Sequence, residues 1–197
     1  RRRHSFPTRR SSDLDTGVRG AVMHLGNLNR IVRDGERISA GAGVTLPSLL
    51  RATKEVGLAG LEKLTGIPAV VGGAVAMNAG TRDGETFDLV ASITVVEGDG
   101  TIAVRSRDKC EPKYRDGRLR DAIVVHATFA LVPDDPKAIF DRFTASLKKR
   151  NATQPVSQRS VGCVFQNPPG RAAGQLIEEA GCKTLRKGAL EVSGLHA

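Results

Sequence analysis

Gly66-Ile67-Pro68-Ala69-Val70-Val71-Gly72-Gly73-Ala74-Val75-Ala76-Met77-Asn78-Ala79-Gly80 is the stretch on which the fold turns, and it is almost wholly small or apolar. Its apolar positions match neither the 3.6-residue period of an amphipathic helix nor the two-residue period of a strand. Something must approach this backbone closely. Gly72-Gly73-Ala74 and Asn78-Ala79-Gly80 leave amides and carbonyls bare toward a flat or anionic ligand, and the same composition suits a tightly packed buried loop.

Upstream, Gly20 to Leu25 and Glu36 to Ala42 read as strands, with the turn-prone Asp34-Gly35 ahead of the second. Thr45 is placed to cap a helix whose apolar positions Leu46, Leu49, Leu50, Thr53 and Val56 recur at helical spacing, and Gly57 to end it. Gly41-Ala42-Gly43, between strand and helix, has the look of a phosphate-binding turn, but the dinucleotide fingerprint fails where Leu46 stands, so a simple turn is the favoured reading. Downstream, Ala91 to Glu97 and Thr101 to Arg105 form a hairpin through Gly98-Asp99-Gly100, and Ala122 to Val132 reads as a longer buried strand. Pro133-Asp134-Asp135-Pro136 breaks the chain before a helix from about Lys137 to Arg150 carrying Ile139, Phe140, Phe143 and Leu147 on one face. The domain boundary is expected there, dividing 15–135 from 136–197. The second part holds a Gly- and Pro-rich loop, 161 to 171, and a short helix near Ala173 to Ala180, and is too small to hold a core alone.

The 197 residues are 40% hydrophobic and 26% charged, an ordinary globular composition. No apolar run approaches the roughly eighteen residues of a membrane-spanning helix, and 4% aromatics without Trp argue against base-stacking platforms. Cys110, Cys163 and Cys182 contain no C-x-x-C pair, and His4, His24, His126 and His196 are scattered, so neither a disulfide framework nor a metal site is expected. Reduced thiols fit a cytoplasmic protein. The net charge of +9 raises a basic nucleic-acid-binding module as the alternative reading. Residues 1–14, however, carry five arginines and one aspartate, which is +4 of that excess. Their composition looks foreign to the rest, and they are expected to be an appended or disordered segment.

Three further stretches carry candidate chemistry: Tyr114-Arg115-Asp116, Gly162-Cys163-Val164-Phe165-Gln166-Asn167-Pro168-Pro169, and Ala173 to Gly181 followed by Glu191-Val192-Ser193. Read singly, Arg115 is a surface cation and Cys163 a small buried hydrophobe. Together, and in this order after the 66–80 stretch, the motifs closely resemble the UDP-N-acetylenolpyruvoylglucosamine reductase family from about Asp15 to Ala197.

That resemblance implies an α+β fold, an FAD-binding domain of the vanillyl-alcohol-oxidase (PCMH) type followed by a small α/β substrate-binding domain. It implies an NADPH-dependent flavoenzyme of peptidoglycan synthesis that converts UDP-N-acetylglucosamine enolpyruvate to UDP-N-acetylmuramate. Gly66, Ile67, Pro68, Val71, Gly72, Gly73, Ala74, Asn78 and Gly80 then line FAD, and Tyr114 and Asn167 bind substrate. Arg115 steadies the enolate formed when hydride reaches the methylene carbon, and Cys163, at a position the family fills with serine or cysteine, protonates the adjacent carbon. The implied partner is the small-molecule substrate, with no nucleic acid and no membrane. Two positions depart from the family's usual pattern, Gly117 for serine and Gln166 for lysine. The family's pyrophosphate loop and a C-terminal catalytic glutamate have no counterpart here. The chain is therefore expected to be truncated at both ends, inactive as written and weak in FAD binding.

Overall fold

In the computed structural model, residues 22–155 and 159–195 are described. The expected segment 1–14 and the first two residues of the expected strand at 20–25 lie outside them.

A five-stranded antiparallel sheet forms the body of the chain, in the order β1 (Ile31–Asp34), β2 (Arg37–Gly41), β6 (Ile123–Ala130), β4 (Val90–Val96), β5 (Ile102–Ser106). Residues 22–25 are not in a strand, so the expected first strand is corrected to β1. The β1–β2 hairpin closes through Gly35, whose φ of +57° is the left-handed conformation a tight turn asks for. Alternation then sorts β2: Ile38 and Ala40 are buried while Ser39 faces the other side and bonds Thr128 across the ladder.

Helix α1 (Leu46–Glu55) starts where expected, with the Thr45 hydroxyl accepting from the Ser48 amide, and buries Leu46, Leu49, Leu50 and Thr53. Gly57, at φ +67°, turns the chain out of it. The expected long strand from Ala122 to Val132 is interrupted at buried Leu131. Val132–Pro133 (β7) leaves the large sheet to pair antiparallel with Leu58–Ala59 (β3).

Asp135 caps α3 (Pro136–Thr153) by accepting the Lys137 amide, with Pro136 at the first helical position. The first turns of α3 belong to the sheet unit: Ile139 is buried, and Arg142 bonds both Glu62 and Asp134. The chain accordingly forms two compact units divided between Ser146 and Leu147, inside this helix and later than the Pro-Asp-Asp-Pro break suggested. The second unit holds α4 (Ala173–Glu179) and the small ladder of β8 (Arg186–Lys187) and β9 (Leu190–Glu191).

Candidate active site

The 66–80 stretch is not an irregular loop, because Val71–Ala76 forms a short helix, α2. Its composition is poor for a helix, and tertiary bonds hold it: the Val71 amide donates to Val44 O at 2.8 Å and the Gly72 amide to Ala42 O at 2.9 Å. The expectation that the Gly72 amide is bare toward a ligand is thereby corrected. Gly72 is there for its size, since a Cβ would stand 3.0 Å from Ala42 Cβ. Gly41 and Gly43 are small for a related reason, as Cβ atoms on them would meet Leu28 O at 2.3 Å and Leu25 O at 2.2 Å. That settles Gly41-Ala42-Gly43 as a close-packed turn. On the opposite side of α2, Gly73, Ala76 and Met77 are exposed as one stripe, and nothing lies nearer than 3.9 Å to a Cβ at Gly73. A flat ring system can lie against such a stripe.

Asn78 follows at φ +42° and is 2% exposed. Its amide nitrogen donates to Glu85 Oε2 (2.6 Å) and to Lys113 O (3.1 Å), while Oδ1 accepts the Phe87 amide (3.1 Å). With its side-chain amide committed to protein partners, Asn78 ties three segments together and does not reach outward. Gly80 pairs with Glu85 in an isolated bridge.

The third segment is a tight turn in which Lys113 and Asp116 exchange both backbone bonds, at 2.8 and 3.0 Å. Tyr114 and Arg115 occupy its apex, and Arg115 sits at φ +59°. A non-glycine residue held there costs about 1 kcal/mol or more, and such outliers gather at functional sites. The Arg115 guanidinium donates from Nη2 to Gly80 O at 3.0 Å and lies 4.7 Å from the centroid of the Tyr114 ring. Its Nη1 is 3.9 Å from Glu85 Oε1, buried, and without a hydrogen-bond partner. A buried guanidinium nitrogen without a partner keeps unused capacity to bind an anion. The fold thus brings Arg115, Tyr114, Gly80 and Asn78 together across some 35 residues of chain. Glu85 went unremarked in the sequence, where only its place just after the glycine-rich stretch hinted at a role.

Cys163, Gln166 and Asn167 lie in the second compact unit. Cys163 is exposed, as are Val161, Val164 and Phe165 beside it, against the reading of a small buried hydrophobe. Burial pushes the pKa of Arg150, in the same unit, below its ordinary value. Asn167 Oδ1 accepts the Ala173 amide at 2.9 Å and so closes the start of α4.

Comparison with known proteins gives these groups a context. The family model described as FAD binding domain matches residues 8–105, and that described as UDP-N-acetylenolpyruvoylglucosamine reductase, C-terminal domain, matches residues 154–197. The enzyme of that name from Moorella thermoacetica is 44% identical over 93% of this chain and 61% of its own length. The one from Geobacter metallireducens is 42% identical over 93% and 61%. The crystal structure of the reductase from Thermus caldophilus superposes with a TM-score of 0.73 at 41% identity, covering 80% of this chain and 59% of that one. The chain thus spans about three fifths of the length of these relatives. With an FAD-binding domain of the PCMH type ahead of a small α/β domain in an α+β fold, the chain belongs to the UDP-N-acetylenolpyruvoylglucosamine reductase family.

Proposed function

We propose that this chain carries the FAD-contacting and part of the substrate-handling machinery of a cytoplasmic, NADPH-dependent reductase that turns UDP-N-acetylglucosamine enolpyruvate into UDP-N-acetylmuramate. The observation that carries the reading is the strained Arg115 turn, which is tied to the C-terminal end of α2 through the Gly117 amide and Ala76 O and holds a buried, unpartnered Nη1. The 66–80 stretch would hold FAD, which would supply hydride transfer between NADPH and the methylene carbon of the enolpyruvyl ether.

The rest is work for this chain's own residues. Hydride addition at the methylene carbon drives negative charge onto the adjacent carbon and its carboxylate, so the transition state resembles an enolate. Arg115 pairs with that carboxylate, and Tyr114 and Gly80 fix its plane. A preset donor of this kind typically lowers the barrier by about 3–4 kcal/mol. Cys163 gives the adjacent carbon its proton. A thiol is a far stronger acid than an alcohol, and Cys163 is exposed, so water can return the proton it gives up. Asn167 assists substrate binding from the same loop.

The test separates the half-reactions in the chain extended by flanking coding sequence to its relatives' length. Cys163→Ala should leave NADPH-driven flavin bleaching intact and abolish product; loss of both half-reactions removes the acid role. A folded, colourless protein that binds nucleic acid in a salt-sensitive way would favour the alternative module instead.

A further inference from the structure

We propose that Glu85 is a positioning residue for Arg115, holding its guanidinium in place while leaving Nη1 unspent for the substrate carboxylate; this rests on the role given to Arg115 above. Three features of the geometry support it. First, Glu85 is itself immobilised, since its amide donates to Asp88 Oδ2 at 2.7 Å and its Oε2 accepts from Asn78 at 2.6 Å. Asn78 is buried and locked in turn by Phe87 and Lys113. Second, the remaining oxygen, Oε1, stands 3.9 Å from Arg115 Nη1, within Coulombic reach but beyond hydrogen-bond length. The carboxylate therefore attracts the guanidinium without consuming its proton. Third, Nη2 is bonded to Gly80 O, and Gly80 is bridged to Glu85, so donor and counter-charge are anchored to the same short bridge.

Glu85 also offsets part of the cost of holding a half-buried cation before substrate arrives, the side chains of the pair being 29% and 32% exposed. An incoming carboxylate finds a guanidinium already held, with Nη1 still without a hydrogen-bond partner. Replacing Glu85 by glutamine keeps the length and the acceptor for Asn78 but turns an NH2 toward Nη1, donor against donor, which pushes the guanidinium aside. Misplacement by about 1 Å costs a positioned group on the order of a hundredfold in rate.

The experiment uses the chain extended to its relatives' length, with FAD bound, in wild type, Glu85→Gln, Arg115→Lys and the double variant. In Glu85→Gln we expect flavin reduction by NADPH within about twofold of wild type, and reoxidation by the enolpyruvyl nucleotide slowed roughly 10–100-fold. The double variant should be no slower than Arg115→Lys, because Glu85 acts through that guanidinium. Glu85→Asp, which retains the charge, should recover part of the loss and serves if the glutamine variant does not fold. A second readout needs no turnover: nitrogen-15 spectra should show separate Arg115 Nη signals in wild type and one averaged signal in Glu85→Gln.

Equal slowing of both half-reactions, no slowing of either, or effects that multiply in the double variant would overturn the assignment. If Arg115→Lys itself leaves reoxidation untouched, the reading of Arg115 falls and takes this one with it. If Arg115→Lys abolishes reoxidation while Glu85→Gln is silent, only the positioning role is lost.

Discussion

The amide of Gly117 donates to Ala76 O at 2.9 Å, and a Cβ at Gly117 would stand 2.1 Å from Val75 O. The turn bearing Arg115 is thus pinned to the C-terminal end of α2 by a glycine that nothing larger can replace without moving backbone. Serine, which has the same Cβ, does not fit this backbone as it stands. We expect Gly117→Ala to lower stability by about 2–3 kcal/mol, in the upper part of the overpacking range, measured by urea denaturation, with Gly117→Ser at least as costly.

Gly72 and Gly73 should respond in opposite directions although they are neighbours. A methyl group at Gly72 meets Ala42 Cβ at 3.0 Å, whereas at Gly73 it meets only Val70 Cγ2 at 3.9 Å. Gly72→Ala should destabilise the fold by about 1–2 kcal/mol. Gly73→Ala should stabilise it by about 0.5–1 kcal/mol, the usual gain from replacing helical glycine. If the exposed stripe lies under the flavin, that same methyl group weakens FAD binding by about tenfold. Thermal melts with and without FAD separate the two effects.

Local signals were legible wherever a short-range rule decides. Thr45 as a cap, Gly57 as a stop and the β4–β5 hairpin could all be read from neighbouring residues. The failures share a cause, which is that tertiary partners decided the outcome. Helix α2 exists because Ala42 and Val44 carbonyls take its first amides, a fact about residues 27 or more positions away. Val132 leaves the sheet because Leu58 and Ala59 offer another partner. Arg115 and Cys163 were singled out through family motifs, while Glu85 emerged only once Asn78, buried and needing partners, showed where its amide goes.

Arg142 spans two carboxylates, donating to Glu62 Oε1 at 2.8 Å and to Asp134 Oδ2 at 2.7 Å. The bond from Arg142, with the Asp135 amide second, holds the Asp134 carboxyl below its usual range. A carboxyl whose folded pKa is depressed contributes stability that is present above its unfolded pKa of about 3.9 and lost as pH falls through the lower folded value. Wild type should therefore lose stability below about pH 4, with a shallower slope in Asp134→Asn. Arg142→Ala acts at neutral pH too, because Glu62, 8% exposed, then keeps only the Gly60 amide. We expect a loss of about 1 kcal/mol there, at the low end for a buried polar group losing a partner, since Arg142 is itself 44% exposed. Chemical denaturation at pH 7 and at pH 3.5 checks both statements.

The three cysteines should label in a set order. Cys110 is 4% exposed, its thiol donates to Ser106 O at 3.3 Å, and burial pushes its pKa up against the pull of Arg105 and Arg107. A thiol of raised pKa holds less thiolate, which is the reactive form, and a buried one is also shielded from reagent. Cys163 is exposed and Cys182 half-buried. Brief treatment with iodoacetamide at pH 7.5 should modify Cys163 first, Cys182 more slowly, and Cys110 only when denaturant is added. Tryptic mass spectrometry reads the order directly. Early labelling of Cys110 would mean that the loop following β5 opens without global unfolding. Slow labelling of Cys163 would mean that the second unit covers it, and that the proton lost in turnover returns by some route other than bulk water.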